Sequence, residues 1–185
     1  MITKMPGTTI ECDISRTGEV ESILTPMFMA GGLVLSQVSQ LTGLEPYIIQ
    51  NWVKRGYVSS PTNKKYSKQQ FCRLVIISFL RDTLQLEKIT KLLSYINGKL
   101  NDESDDLIDD YQLYLYFTSL LVMGDNGFPL LNTMEERIGV MLDGFKEVYS
   151  GGKKRLSDVL YIMEVAYSAT MLKQEAEQML AEHII

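Results

Sequence analysis

Residues 35–66 constrain the fold more than any other stretch, because they predict two short helices, a tight break and a basic hairpin. Ser36 is a suitable N-cap for the first helix, and Gly43 can adopt the left-handed conformation that ends it. Pro46 suits the first turn of a second helix, and Gly56 is placed to close that helix. The stretch therefore predicts a helix, a turn and a second helix.

The second helix, residues 45–55, has two faces of different chemistry. Its apolar face carries Ile48, Ile49, Trp52 and Val53. Its other face carries a phenol, two amides and a cation, at Tyr47, Gln50, Asn51 and Lys54. Such groups hydrogen-bond base edges and phosphates. Taken alone, the pattern is more often a solvated face, but the surrounding residues favour a recognition helix.

A basic hairpin is predicted directly after this helix, over residues 58–66. Two short extended pieces around Pro61, Thr62 and Asn63 would form it, as a wing beside the helix. Lys64 and Lys65 near its tip are well placed for phosphates. The alternative is a solvated surface loop.

The net charge of -5 conceals a strong asymmetry along the chain. Residues 33–100 hold ten Lys and Arg against three acidic residues, whereas residues 101–185 hold six against sixteen. A basic segment in an acidic chain indicates a local site for a polyanion. We expect an arm (residues 1–32), a basic segment (33–100) and an acidic helical tail (101–185). The arm is expected to be irregular to residue 17, then a short helix or pair of turns, packed against the basic segment.

Two further helices complete the basic segment. Ser67 and Gln70 form a capping box that begins a helix apolar nearly all round, so Cys72 within it is expected to be a small buried hydrophobe. A second apolar stripe, which Gly98 can end, contains Leu86, Ile89, Leu92, Leu93 and Ile96.

The order of these elements resembles the MerR-type winged helix-turn-helix family over residues 33–98. The resemblance rests on the turn at Thr42-Gly43, the aromatic Trp52, the helix exit at Gly56-Tyr57, the wing end at Tyr66-Ser67 and the helix of residues 86–93. Gln50 stands where the family usually has Arg, Val53 where it has an acid, and Lys64 or Lys65 where its wing has Arg. The whole sequence also resembles an uncharacterised bacterial family with a MerR-like head and a helical tail. The resemblance implies a mainly α fold: a winged helix-turn-helix with a small β-hairpin wing, plus a C-terminal helical bundle.

Two functions are open. The first is a transcriptional regulator that binds double-stranded DNA as a homodimer through the tail, with Gln50 or Asn51 contacting adenine in the major groove. Its predicted DNA-binding residues are Tyr47, Gln50, Asn51, Lys54, Arg55, Lys64, Lys65 and Tyr66. The second is a protein-interaction module that retains the fold without sequence-specific DNA binding. The acidic tail and the missing recognition arginine favour it slightly.

The tail is predicted to be helical. An acidic run at residues 102–110 favours the first turn of a helix at 107–123, and a turn follows at 124–129. A capping box at Thr133 and Glu136 begins the next helix, which stops at residues 150–152, and a last helix spans 157–183. Few polar groups are expected inside these helices. Their Tyr and Met side chains could line a pocket for an unknown effector, although plain core or a dimer seam is more typical.

The sequence argues against an enzyme, a cofactor and a metal site. His183 is the only histidine and lies two residues from the C-terminus. Glycine-rich phosphate loops, zinc spacings and nucleophile motifs do not occur in the sequence. Two cysteines are too few for a disulfide scaffold, and neither a signal peptide nor a membrane-spanning run is evident, so we expect a cytoplasmic protein.

Overall fold

The computed structural model describes residues 3–98, 100, 106–124 and 133–184. Within these residues the fold is mainly helical, as predicted. The helices are α1 (Glu19–Met27), α2 (Leu35–Thr42), α3 (Pro46–Lys54), α4 (Lys68–Leu80), α5 (Leu86–Asn97), α6 (Asp110–Val122), α7 (Met134–Met141) and α8 (Gly152–His183). The strands are β1 (Thr3–Lys4), β2 (Glu11–Cys12), β3 (Leu33–Val34) and β4 (Lys65–Tyr66). β1 pairs antiparallel with β2, and β3 pairs antiparallel with β4.

The α2–α3 unit begins and ends close to where the sequence predicts. Gly43 is left-handed at φ 69° after α2, Pro46 occupies the first position of α3, and Gly56 follows α3 at φ 74°. The predicted cap at Ser36 is wrong, because the N-cap of α2 lies two residues earlier, at Val34. Val34 belongs to β3, so the chain passes directly from strand into helix.

The predicted hairpin is replaced by a tight turn and a long-range strand pair. Asn63 and Lys64 both have positive φ, and the pairing within residues 62–65 is a single bridge between Thr62 and Lys65. β4 pairs instead with β3, which lies before α2. We call this feature the 62–65 turn.

Gly32 makes the β3–β4 pairing possible. Its φ is 102°, and a Cβ atom at this position would lie only 2.7 Å from the carbonyl oxygen of Tyr66. Residues other than glycine are strained at this φ, and their side chains would also collide with the strand. The close approach of the strand therefore requires glycine at position 32.

Helix α4 lies at the centre of the core and packs against α2, α5, α6 and α8. Ser67 Oγ accepts a hydrogen bond from the Gln70 N–H at 3.2 Å, and Gln70 Oε1 accepts one from the Ser67 N–H at 2.8 Å. The predicted capping box is thus confirmed. Cys72 is fully buried, and burial raises its pKa well above the ordinary value, in agreement with a structural role. Gly98 ends α5, also as predicted.

The arm is more ordered than expected, since residues 3–12 form the β1–β2 hairpin. Its contacts reach both other segments. The Thr9 N–H donates to the Leu41 carbonyl at 2.8 Å, which confirms packing against the basic segment. The buried Tyr114 hydroxyl of α6 donates to the Pro6 carbonyl at 2.8 Å. The arm therefore also joins the tail to the core.

The start of α6 confirms part of the prediction for the acidic run. Asp109 is the N-cap, and its side chain accepts a hydrogen bond from the Gln112 N–H at 2.8 Å. Asp110 lies in the first turn. Asp102, Glu103 and Asp105 lie outside the described residues, as does most of the predicted turn at 124–129.

The boundaries of the last two helices differ from the predicted ones. α7 ends at Met141 rather than at residues 150–152, and α8 begins at Gly152 rather than near 157. Glu147 accepts a hydrogen bond from the Lys153 N–H at 2.8 Å, which caps α8. The chain must leave the helix before Glu147 to make that bond. Thr133 is the N-cap of α7, but its side chain makes no capping hydrogen bond.

The tail also contains a buried ion pair that the apolar sequence pattern did not indicate. Arg137 of α7 and Glu164 of α8 approach to 3.2 Å, with side chains 8% and 0% exposed. The expectation of few polar groups inside these helices was therefore wrong here. Among the residues that the structure describes, the helices lack either the length or the apolar character needed to cross a membrane.

Candidate nucleic-acid interface

The apolar face of α3 fixes this helix to the core. Ile49 is 0% exposed and Trp52 is 3% exposed, while Ile48 and Val53 are half-buried. Arg81 of the segment after α4 lies over the Trp52 ring, with its guanidinium carbon 5.5 Å from the ring centre. The predicted division of α3 into two faces is confirmed.

The opposite face of α3 is open to solvent. Tyr47 is 68% exposed, and Gln50, Asn51 and Lys54 are all exposed. We call these four side chains the α3 face. Together they present amide donors and acceptors, a phenol and a cation along one helix side. That combination suits a partner with both hydrogen-bonding edges and negative charge.

Arg55, just after α3, is already engaged by a carboxylate. Its Nη2 atom lies 2.9 Å from Glu87 Oε1, and the Tyr57 hydroxyl donates to the same oxygen at 3.0 Å. The pKa of Glu87 is lowered by a backbone hydrogen bond at Glu87 itself, then by Tyr57 and Arg55. Glu87 therefore stays ionised, and an approaching anion must share Arg55 with it. About half of the Arg55 side chain remains exposed.

Two lysines on the 62–65 turn are exposed, but they differ in their position and contacts. Lys64 sits at the tip with φ 60°. Lys65 donates from Nζ to the Ala30 carbonyl at 3.2 Å, which ties the turn to the loop after α1. Both can present positive charge to solvent beside the basic segment's other cations.

Tyr66 does not belong to this surface. Its side chain is 3% exposed, and burial raises its pKa. Successive residues of a strand point to opposite sides, so the exposed Lys65 places Tyr66 in the core. The prediction that the Tyr66 side chain contacts DNA is wrong.

A buried arginine lies behind the surface, and the sequence pattern did not indicate its role. Arg73 of α4 donates from Nε to the Tyr57 carbonyl at 2.7 Å and pairs through Nη1 with Asp110 at 3.1 Å. Burial raises the pKa of Asp110, and the Arg73 charge opposes that rise. A lone charge inside an otherwise apolar helix was the available signal. Its partners lie in distant segments, so the pattern alone could not name them.

The described residues also bear on metal binding and on thiol chemistry. Within these ranges no group of three or more His, Cys, Asp or Glu side chains is placed to hold a metal ion. Burial also raises the pKa of Cys12 to about 11, so its thiol is protonated at neutral pH.

Comparisons with known proteins match part of the chain. Residues 30–117 match a protein family described as Domain of unknown function (DUF1836). The uncharacterized protein YkrK of Bacillus subtilis (strain 168) is 34% identical over 84 residues, which are 43% of this chain and 36% of that relative. The chain thus matches little more than a third of the relative's length. Solved structures gave no match. The family match spans the segment that carries α2, α3 and the 62–65 turn.

Proposed function

We propose that the chain is a DNA-binding transcriptional regulator with a MerR-like winged helix-turn-helix. In this proposal α3 enters the major groove and the 62–65 turn holds the backbone as a wing. The observation that supports it most strongly is the open α3 face. Had its amides been covered by the chain's own tail, this role would be impossible.

The α3 face has the groups needed for direct readout of base pairs. A Gln or Asn side chain can donate to N7 of adenine and accept from its N6 amino group in one bidentate contact. Gln50 and Asn51 are exposed next to each other on the same turn. A major groove about 12 Å wide admits a helix of ordinary diameter. We therefore assign base contacts to these two amides.

Cations around the α3 face would hold phosphates. Lys54 closes α3, Arg55 follows it, and Lys64 and Lys65 lie on the 62–65 turn. The acidic tail would repel DNA, so the polyanion is directed to the basic segment.

Salt dependence tests the phosphate contacts. Changing Lys64 and Lys65 together to Ala should flatten the plot of log affinity against log salt by roughly 0.9 per lost phosphate contact. Fluorescence anisotropy with a labelled duplex measures this slope. The matched control changes Lys154 and Lys173 of α8, two exposed lysines that are each paired with an acid four residues later. An unchanged slope in the first variant would exclude the turn from the interface.

Glu87 should restrain binding, because it competes with phosphate for Arg55. Glu87→Gln removes the negative charge and keeps a hydrogen-bond acceptor for the Tyr57 hydroxyl. We expect affinity for duplex DNA to rise by about two- to fivefold, the range of a surface charge contact. Glu177→Gln, which breaks an exposed pair with Lys173 in the tail, is the control. A fall in affinity for Glu87→Gln would show that Arg55 does not contact the backbone.

We also propose that the regulator is a homodimer joined through α8. Every residue from 172 to 184 is exposed. Exposed or small apolar side chains recur at alternating steps of three and four: Ile162, Val165, Ala169, Leu172, Ala176 and Met179. This is the spacing of a coiled-coil seam. A second copy with the same stripe would cover it.

Leu172→Glu should convert the dimer to a monomer. Leu172 is 64% exposed at the middle of the stripe, so the change places a charge in the seam without touching the core. Sedimentation velocity at micromolar concentration measures the result. Gln174→Glu adds the same charge on the other side of α8 and should leave the dimer intact. A wild-type monomer would remove this part of the proposal.

One observation favours the alternative function, a protein-interaction module. The α3 face holds a single cation, Lys54, and its most exposed large side chain is the aromatic Tyr47. Tyrosine is enriched where proteins contact each other. Failure to select any DNA sequence, together with recovery of a stable protein partner that Tyr47→Ala no longer binds, would decide for this alternative.

A further inference from the structure

Arg73 joins three segments that are distant in sequence. Its Nε atom donates to the carbonyl of Tyr57, and its Nη1 atom donates to both carboxylate oxygens of Asp110, at 3.1 and 3.3 Å. Asn97 Nδ2, at the end of α5, also reaches Asp110 Oδ1 at 3.5 Å. One guanidinium therefore links the residues after α3 to the first turn of the tail helix α6.

The Tyr57 carbonyl is a fixed point of the α3 exit. The N–H of Tyr57 donates to the Trp52 carbonyl at 2.9 Å, and the N–H of Gly56 donates to the Val53 carbonyl at 3.0 Å. The next residue, Val58, is 1% exposed and leads to the 62–65 turn. A displacement of the Tyr57 carbonyl would thus move both the end of α3 and the root of the turn.

The guanidinium can transmit position because it is rigid and buried. Its donors lie in one plane, so the carbonyl and the carboxylate are held at a set distance and angle. The side chains of Arg73 and Asp110 are 6% and 12% exposed. Removal of one partner from a buried pair leaves an uncompensated charge. A conformation in which Arg73 and Asp110 are buried but separated is therefore strongly disfavoured.

We propose that Arg73 is a positioning residue for the DNA-binding surface, through which Asp110 of the tail sets the place of the α3 exit. This inference rests on the proposed function, because it gives the tail a role in how the α3 face meets DNA. It predicts that a change confined to the first turn of α6 alters binding at a surface it does not touch.

The test compares two buried pairs in the 185-residue chain. Asp110→Asn weakens the link to α3, whereas Glu164→Gln weakens the Arg137–Glu164 pair, which joins α7 to α8 inside the tail. Arg73→Lys serves as a second variant, since an ammonium keeps the charge but loses the planar fork. Hydrogen exchange of residues 52–58 and affinity for a duplex are both measured well below the unfolding temperature.

Asp110→Asn and Arg73→Lys should speed exchange in residues 52–58 by about fivefold or more and weaken DNA binding by about tenfold, whereas Glu164→Gln should change neither. Exchange in 52–58 that responds equally to Asp110→Asn and Glu164→Gln would overturn the inference. If exchange responds as expected but wild-type protein shows no salt-dependent duplex binding, the link stands and the proposed function fails.

Discussion

Replacing Gln50, Asn51 and Lys54 together by alanine should lower affinity for a preferred duplex by about a hundredfold. A bidentate amide contact to adenine contributes about 1–3 kcal/mol, and the second amide and the Lys54 contact bring the expected loss to about 3 kcal/mol. All three side chains are exposed, so the fold should be unaffected. Anisotropy titrations with the preferred and an unrelated duplex separate base contacts from charge.

A matched control exists on α8, where Lys173, Gln174 and Gln178 supply one exposed cation and two exposed amides. Their replacement by alanine changes composition in the same way at a surface that DNA does not reach in the proposal. Affinity should remain within about twofold of wild type. Equal losses in the two triple variants would mean that the α3 face has no special role.

Arg137→Met should reduce the free energy of unfolding by about 3–5 kcal/mol, the cost of breaking a buried pair on one side. Glu164 is 0% exposed, and the lost guanidinium also donates to the Leu120 carbonyl at 2.9 Å. Urea unfolding followed by circular dichroism measures the change. Arg137→Met combined with Glu164→Leu removes both charges and should recover most of the loss.

The loss in Arg137→Met should depend on pH in a definite direction. Burial raises the pKa of Glu164 above its ordinary 4.5, and Arg137 opposes that rise. When a carboxyl group has a higher pKa in the folded state than in the unfolded state, the folded state binds the proton more tightly. Lowering the pH therefore favours the folded state. Without Arg137 the pKa rises further. The stability lost in Arg137→Met should therefore be largest at neutral pH and should shrink as the pH falls towards the ordinary carboxyl pKa. An equal loss of stability throughout this pH window would contradict this expectation.

Local signals in the sequence predicted the part of the fold that carries the surface. Gly43, Pro46 and Gly56 act through their own backbone preferences, and the capping box of Ser67 and Gln70 closes within four residues. The two faces of α3 follow from helical periodicity alone. These features need no knowledge of distant contacts, so they were predictable.

Several of the errors concern contacts between distant segments. Strands β3 and β4 have two residues each and are separated in sequence by the α2–α3 unit. They are too short to show an alternating pattern in the sequence. Tyr66 was assigned to the surface because its burial depends on that pairing. Similarly, the partners of Arg73 and Arg137 come from other helices. Periodicity identifies a charge inside an apolar stripe but not the group that neutralises it.

Selection of duplexes from a random DNA library at moderate salt tests the central claim most directly. Wild-type protein should enrich one family of sequences, with adenine required at the positions that Gln50 or Asn51 contacts. The triple alanine variant of the α3 face should lose that enrichment while its thermal stability stays the same. Recovery of no preferred sequence by the wild-type protein, or of the same sequences by the triple variant, would contradict a DNA-reading role for α3.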